Sequence, residues 1–350
     1  MLRTRIRPPT VLASMLLLFA AASIAPSARA QSLPSFRIDP RHIYVAGISS
    51  GGAMAVQMDV AYSKIFKGAA IYAGLPYDCG QAGISTESMC AENAPPIDIA
   101  SLEQTTQTLA KQKSIDPLSN LKNQPIYLWS GLIDVVVRQP VMDNVNTYYQ
   151  YFGANVFKYD NGFVAQHAWE SPYGPNACQV LESPFVNQCT QNGVLYDSQE
   201  VFLSKWLGKL KPKNEGTLTG SLSEFDQNPF VPGGSASAIS LDNTGFIFTP
   251  AACAAGKTCS LILAIHGCSQ YYGAVGLGFV GNAGLNEWAD TNNIVVVYPQ
   301  TIASTPNNGL GCWDWWGYTN SSFALKDGPQ MQTLFNIVKQ VAGKSVPAGG

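Results

Sequence analysis

The chain of 350 residues is 46% hydrophobic but only 13% charged, with 32 Gly, 22 Pro, 8 Cys, 3 His and a net charge of −2. That length supports a sizeable core, the apolar content excludes charge-rich disorder, and the near-neutral balance excludes a nucleic-acid binder built on a basic face. Eight cysteines without a Cys-x-x-Cys pair, beside three scattered histidines, exclude a zinc module.

Arg3, Arg5 and Arg7 precede an apolar stretch from Val11 to Ala25, and Ala28-Arg29-Ala30 gives a small-x-small cleavage pattern. Residues 1–30 therefore read as a signal peptide: the stretch is short for a membrane span, and no cysteine follows it to carry a lipid anchor. Its removal takes away four arginines and no acid, moving the net charge from −2 to −6.

Residues 31–350 read as one α/β domain. Ile43 to Ala46 is a strand candidate, followed by a helix from Gly52 to about Tyr62, and Ala69 to Ala73 is the next strand. A Gln/Thr-rich helix from about Asp98 to Lys113 leads to a strand at Ile126 to Trp129. A helix near Val141 to Tyr151 then leads to a strand at Val156 to Tyr159. Past the amphipathic segment Val201 to Leu207, the polar, Pro/Gly-containing stretch 209–234 reads as a surface connection within the domain. Strands follow at Phe246 to Phe248, Leu261 to Ile265 and Ile294 to Tyr298, with a closing helix near Gln330 to Val341. Alternation of this kind implies βαβ units and a largely parallel sheet; the run Ile294-Val295-Val296-Val297 is what a parallel strand buried on both faces requires.

In an exported protein an even cysteine count reads as disulfides. Cys79 lies near Cys90, Cys178 near Cys189 and Cys253 near Cys259, which leaves Cys268 to join Cys312; other connectivities remain open from sequence.

Gly47-Ile48-Ser49-Ser50-Gly51 fits G-x-S-x-G between a strand and a helix, the setting of a nucleophile elbow. Glycines at its flanks let the strand and helix backbones approach without a Cβ clash. A serine nucleophile needs a base. His42 lies seven residues before Ser49, ~23 Å along an extended chain. That leaves His167, in the loop after the Val156 strand, and His266, at the end of the Leu261 strand; His167 is the preferred base. Asp134, just past the Ile126 strand and a Ser-Gly turn, is the preferred acid over Asp160, which lies so close to His167 that it is expected to shape the loop. The order Ser49, Asp134, His167 is that of the α/β-hydrolase triad. For the oxyanion, one donor would be the backbone N–H of Ser50. The other is expected from the His266-Gly267-Cys268-Ser269-Gln270 turn, which here follows the whole triad. The parts stand in rotated order, which permutation tolerates.

Ile265 to Gln270, Gly311-Cys312-Trp313-Asp314-Trp315-Trp316 and the Gly47 to Gly52 box together resemble poly(3-hydroxybutyrate) depolymerases, of the type with its lipase box near the mature N-terminus. The resemblance spans essentially the whole mature chain. It implies a circularly permuted α/β-hydrolase fold, mostly parallel with helices on both faces and stapled by disulfides, Cys268–Cys312 among them. It implies Ser49, Asp134 and His167 as the triad and the amides of Ser50 and Cys268 as the oxyanion hole. Asn308 and Trp313 would line the hydrophobic substrate crevice. Many secreted members carry a further polymer-binding domain, absent from this sequence. Adsorption would then fall to exposed aromatics, with Trp169, Trp313, Trp315, Trp316 and Tyr318 as candidates.

The function expected is a secreted serine esterase, extracellular or periplasmic, hydrolysing poly(3-hydroxybutyrate) or similar short-chain oligoesters through an acyl-enzyme. An esterase for feruloyl or acetyl groups on plant polysaccharide is the alternative, since such hydrolases share the His-Gly-Cys turn and the serine box. A monomer is expected, with no cofactor, metal, nucleic-acid partner or membrane anchor. Gly276 to Gly281 also matches G-x-G-x-x-G. However, the preceding strand ends about ten residues earlier and the next one carries no acid for a ribose, so it reads as a chance match.

Overall fold

The computed structural model describes residues 32–81 and 87–346; the segment read as a signal peptide lies outside them. Eight strands form the central sheet: β1 (Ile38–Ile48), β2 (Ala69–Tyr72), β3 (Pro125–Trp129), β4 (Asn155–Asp160), β5 (Ser221–Asp226), β6 (Thr244–Thr249), β7 (Cys259–Ile265) and β8 (Ile294–Tyr298). Their spatial order is β5-β6-β8-β7-β1-β2-β3-β4. β6 pairs antiparallel with both β5 and β8, and every other pairing is parallel.

Side-chain alternation explains why the sheet is covered on both faces. Ile43 and Val45 of β1, Leu261, Leu263 and Ile265 of β7 and Val295 and Val297 of β8 join one core. Their neighbours Tyr44, Ala46, Ile48, Ile262, Ala264, Val296 and Tyr298 join the other. With a period of two, a strand that is apolar at every position must bury both faces. The first face is covered by helices α1 (Ser50–Ala61), α3 (Gln139–Tyr151) and α6 (Pro329–Ala342), with α2 (Ile99–Lys111) packed on α3. The second face is covered by α4 (Ser198–Leu207) and α5 (Leu285–Asn292). Helix α2 starts where the sequence signals it, with the Asp98 carboxylate accepting from Ser101 N–H at 3.1 Å.

Strands β5 to β8, all from the second half of the chain, complete the sheet beside β1, so the elbow strand is first in sequence and central in space. This is the permuted arrangement of an α/β-hydrolase-like fold. The stretch 209–234 is more than a surface connection, because it contains β5, the edge strand. Ser-Leu-Ser-Glu-Phe-Asp alternates, yet only Phe225 is buried, and so polar a six-residue edge strand carries almost no composition signal. Gly276 to Gly281 forms a run of turns before α5 and no strand-to-helix phosphate loop. The four disulfides are Cys79–Cys90, Cys178–Cys189, Cys253–Cys259 and Cys268–Cys312. Among the described residues no helix is long and apolar enough to cross a membrane, and no cluster of three or more His, Cys, Asp or Glu could hold a metal ion.

Candidate active site

Ser49 stands between β1 and α1 with φ 57° and ψ −124°, a left-handed conformation that a non-glycine residue adopts only where its surroundings impose it. Those surroundings are tight. The Ser49 N–H donates to Tyr72 O of β2 at 2.9 Å. A Cβ on Gly47 would lie 2.1 Å from Gly51 O, and one on Gly51 would lie 2.2 Å from His266 O. The glycines of the box are therefore dictated by contact with the turn out of β1 and the end of β7. Ser50, as the first residue of α1, has an N–H with no intrahelical acceptor, and its hydroxyl accepts from Trp313 N–H at 3.2 Å.

Loops after β3 and β4 bring in the other two members of the expected triad. His167 Nδ1 lies 2.8 Å from Asp134 Oδ2, and both residues are buried. The second oxygen, Asp134 Oδ1, accepts from the backbone N–H groups of Val136 and Val137 at 2.8 and 2.9 Å. The carboxylate is thus held from behind and offers one edge to the imidazole. The two loops are also tied together, Leu132 N–H donating to Phe163 O and Ile133 N–H to Ala165 O. Asp160 is occupied elsewhere: it accepts from Tyr127 and Tyr196 hydroxyls at 2.8 and 2.5 Å and pairs with Lys158 at 3.1 Å.

The Gly267–Gln270 turn leaves β7 directly over the elbow, since a Cβ on Gly267 would sit 3.1 Å from Ser49 Cβ. Within it Gln270 N–H donates to Gly267 O at 3.2 Å and Ser269 N–H to Leu310 O at 2.7 Å, with Ser269 at φ 57°. The Gln270 side chain accepts from Gly267 N–H at 2.7 Å. It also donates to Pro184 O and Phe185 O at 2.9 Å each, joining the turn to the loop opposite. The disulfide to Cys312 holds the turn from the other side. His266 itself is fully buried beneath it, away from the cavity, and burial pushes its imidazole down to about 4, so it stays neutral. His42 lies before the buried half of β1, beside Tyr44.

Ser49, His167, Cys268, Ser269 and Gln270 share one cavity of about 260 Å³ with apolar walls from Leu75, Val136, Val137, Leu181, Phe185, Leu310 and Trp315. Two expected lining residues are absent from it. Trp313 is fully buried, its ring 5.4 Å from that of His266. Asn308 is buried as a clamp, accepting from Cys312 N–H at 2.7 Å and donating to Cys312 O and the Tyr318 hydroxyl. Trp315 takes the wall position, next to the buried Asp314, which gathers the backbone N–H groups of Gly317 at 2.7 Å and Thr319 at 2.9 Å. That tightens the loop that follows Trp315. Burial raises the Asp314 carboxyl above the ordinary carboxylate range, against these hydrogen bonds.

The aromatic adsorption patch does not form either: Trp169 and Trp313 are core residues, Trp315 is 7% exposed, and Trp316 and Tyr318 are half-buried. The exposed apolar groups on the loops that carry the cavity residues are mostly aliphatic instead, Leu132, Ile133, Val135, Val136, Val164, Leu181 and Leu310, with Tyr272 the aromatic beside them. These lie in loops without periodicity. The only trace of the patch in sequence is the unusually apolar run Leu132 to Val137 after a strand end.

No model of a known protein family matches the chain. It is 40% identical over 320 residues to a poly(3-hydroxybutyrate) depolymerase of Delftia acidovorans, covering 89% of this chain and 62% of that one, so it spans somewhat less than two thirds of that relative. It is 37% identical over 335 residues to a polyhydroxybutyrate depolymerase of Talaromyces funiculosus, covering 89% of this chain and 93% of that one. Among solved structures, the PHB depolymerase from Penicillium funiculosum superposes with a TM-score of 0.80 at 34% identity, covering 89% and 99% of the two chains. A PHB depolymerase with a serine-to-alanine substitution, complexed with an R3HB trimer, gives the same TM-score and coverage at 33% identity.

Proposed function

This chain belongs to the poly(3-hydroxybutyrate) depolymerase family, and we propose that it is a serine hydrolase of short-chain polyhydroxyalkanoate esters, with Ser49, Asp134 and His167 as its triad. The observation that carries the reading is the buried His167–Asp134 pair at 2.8 Å opening on the same cavity as the strained Ser49 elbow. His167 takes the proton of the Ser49 hydroxyl as its oxygen attacks the ester carbonyl, and Asp134 holds the imidazolium. The N–H groups of Ser50 and Cys268 receive the oxyanion. His167 then protonates the departing hydroxyl, and water attacks the acyl-enzyme by the same route in reverse.

Substrate class follows from the walls. The cavity offers apolar surface and no charged side chain except those of the triad, which suits an uncharged ester bearing short alkyl groups. Its volume is slightly below the ~300–1,000 Å³ of pockets for drug-sized ligands, so it admits a short stretch of chain and not a coil. The aliphatic groups beside it would lie against the surface of a water-insoluble polyester, in the role first assigned to aromatics. Four disulfides are consistent with work outside the reducing cytosol, and residues 1–30 with export there.

The test is product analysis after incubation with poly(3-hydroxybutyrate) and, separately, with a feruloylated saccharide. Release of 3-hydroxybutyrate or its oligomers is expected from the first and no ferulate from the second. Ser49→Ala should fold normally and lose turnover of p-nitrophenyl butyrate by several orders of magnitude; near-normal turnover would sink the mechanism.

A further inference from the structure

His266, outside the triad, lies directly against the oxyanion turn. Its Nδ1 is 2.7 Å from Gly267 O, and its Nε2 is 3.3 Å from the backbone N of Thr301. A carbonyl only accepts and a backbone N–H only donates. Burial holds the ring neutral, so it carries a single proton to place on one nitrogen or the other. The Thr301 hydroxyl oxygen also lies 3.4 Å from Nε2, but the Gly267 carbonyl at 2.7 Å is the closer group and can only accept, so the single proton of the neutral ring is on Nδ1, donating to Gly267 O, and Nε2 accepts from Thr301 N–H.

Gly267–Cys268 is a trans peptide, as is every non-proline peptide bond among the described residues, so its C=O and N–H point in opposite directions. His266 sits in the core against Trp313 and Phe279, and draws the Gly267 carbonyl inward. The Cys268 N–H must then face outward, into the cavity that Cys268 lines beside Ser49. A second donor, Gln270 N–H at 3.2 Å, assists from within the turn, but the imidazole contact is the shorter by half an ångström. A hydrogen bond into a carbonyl also polarises the peptide it belongs to, which strengthens the N–H at its other end.

We propose that His266 is a positioning residue for the oxyanion hole: its Nδ1–H fixes and polarises the Gly267–Cys268 peptide so that the Cys268 N–H points at the oxyanion. The role is additional to the triad and rests on the reading of Ser49 as nucleophile. Ser269 and Gln270 lock the rest of the turn, but only His266 holds this carbonyl with a side chain.

Two amide substitutions separate the ring's two contacts. His266→Asn places an amide nitrogen where Nδ1 stands and keeps the donor to Gly267 O, while losing the Thr301 partner. His266→Gln reaches the Nε2 position and keeps the Thr301 partner, while losing the donor to Gly267 O. Both remove one buried hydrogen bond, so a merely structural role predicts equal effects on unfolding and on turnover. The expected result is a fall in kcat of ~10–100-fold for His266→Gln, part of the ~10²–10³ that deleting an oxyanion donor costs. KM for p-nitrophenyl butyrate should be unchanged, and His266→Asn should retain most of the wild-type kcat. Equal kcat in the two variants, or a loss confined to KM, overturns the role. ¹⁵N NMR of the histidine rings in the wild-type protein is independent of any variant: an Nε2–H tautomer for His266 overturns the proposal, and an Nδ1–H tautomer supports it. If Ser49→Ala abolishes turnover while the two His266 variants match, the positioning role alone is wrong. If Ser49→Ala retains turnover, the reading of the site fails and this role with it.

Discussion

Asp134→Asn is a sharper perturbation than removal of the side chain, because the structure dictates how the amide must sit. Asp134 Oδ1 accepts from the N–H groups of Val136 and Val137, and only an oxygen can take that position. The amide NH₂ is then forced toward His167 Nδ1, where Oδ2 stood at 2.8 Å. An imidazole facing that donor must accept through Nδ1 and carry its proton on Nε2, the tautomer that cannot take a proton from Ser49. In serine hydrolases this tautomer error costs about 10⁴ in kcat, close to 5.5 kcal/mol at 1.36 kcal/mol per decade. Stability should barely change, since both backbone bonds survive. Asp134→Ala makes the opposite comparison. It leaves those two N–H groups without their acceptor, at ~1–3 kcal/mol for each that is shut off from water. Val137 is buried and Val136 partly exposed, so about 2–3 kcal/mol is expected, or roughly 4–6 °C of melting temperature in a domain this large. Steady-state hydrolysis of p-nitrophenyl butyrate and thermal melts followed by circular dichroism measure the two quantities. Turnover within tenfold of wild type in Asp134→Asn would refute the assignment, whatever the stability result.

Two further predictions test other parts of the molecule. Replacing Leu132 and Val164 by serine, both exposed near the cavity and neither lining it, should leave hydrolysis of the soluble ester unchanged. The same change should weaken adsorption to a poly(3-hydroxybutyrate) film by roughly tenfold or more, given ~1 kcal/mol or more for each side chain that a solid surface would cover; equal adsorption isotherms would remove this patch from the account. Burial raises the Asp59 carboxyl, which accepts from Gln124 and the Tyr149 hydroxyl, to about 7. The folded state therefore holds a proton that the unfolded chain has lost between about pH 4 and 7, so stability falls as pH rises through that window. The slope from this one group approaches 1.4 kcal/mol per unit. Asp78, also raised to about 7 by burial, adds a fall of the same sign. Asp59→Asn should remove its share of the slope in urea unfolding at pH 5, 6, 7 and 8; parallel stability curves for the two proteins would contradict it.

Permutation has one physical consequence for the site. The elbow strand begins the described chain and lies mid-sheet, so the turn that covers Ser49 comes from β7, more than two hundred residues later. Nothing local holds that turn over the serine. The Cys268–Cys312 bridge, the Gln270 contacts to Pro184 and Phe185 and the close approach of Gly51 to His266 O supply the restraint instead.

Much of this protein is written locally. Runs such as Ile294 to Val297 declare a strand buried on both faces, and Ser49 with its flanking glycines declares an elbow, because both depend on neighbours in sequence. Of the three histidines, sequence spacing excludes only His42 and leaves His167 and His266; the structure sets His167 against Asp134. Short spacings suggested three disulfides and the remainder suggested the fourth. Other features depend on which residues meet across the fold. Trp313 and Trp315 differ by two positions in one motif, yet Trp315 lines the cavity while Trp313 fills the core against His266. Asn308, which the family resemblance puts in the crevice lining, instead commits its amide to Cys312 and Tyr318. The edge strand Ser221–Asp226 exists because Thr244–Thr249 offers it an unpaired edge, an opportunity invisible in its own six residues. Periodicity and strained turns are properties of neighbouring residues. The walls of a cavity and the partner of a buried polar group are set by side chains that only tertiary packing brings together.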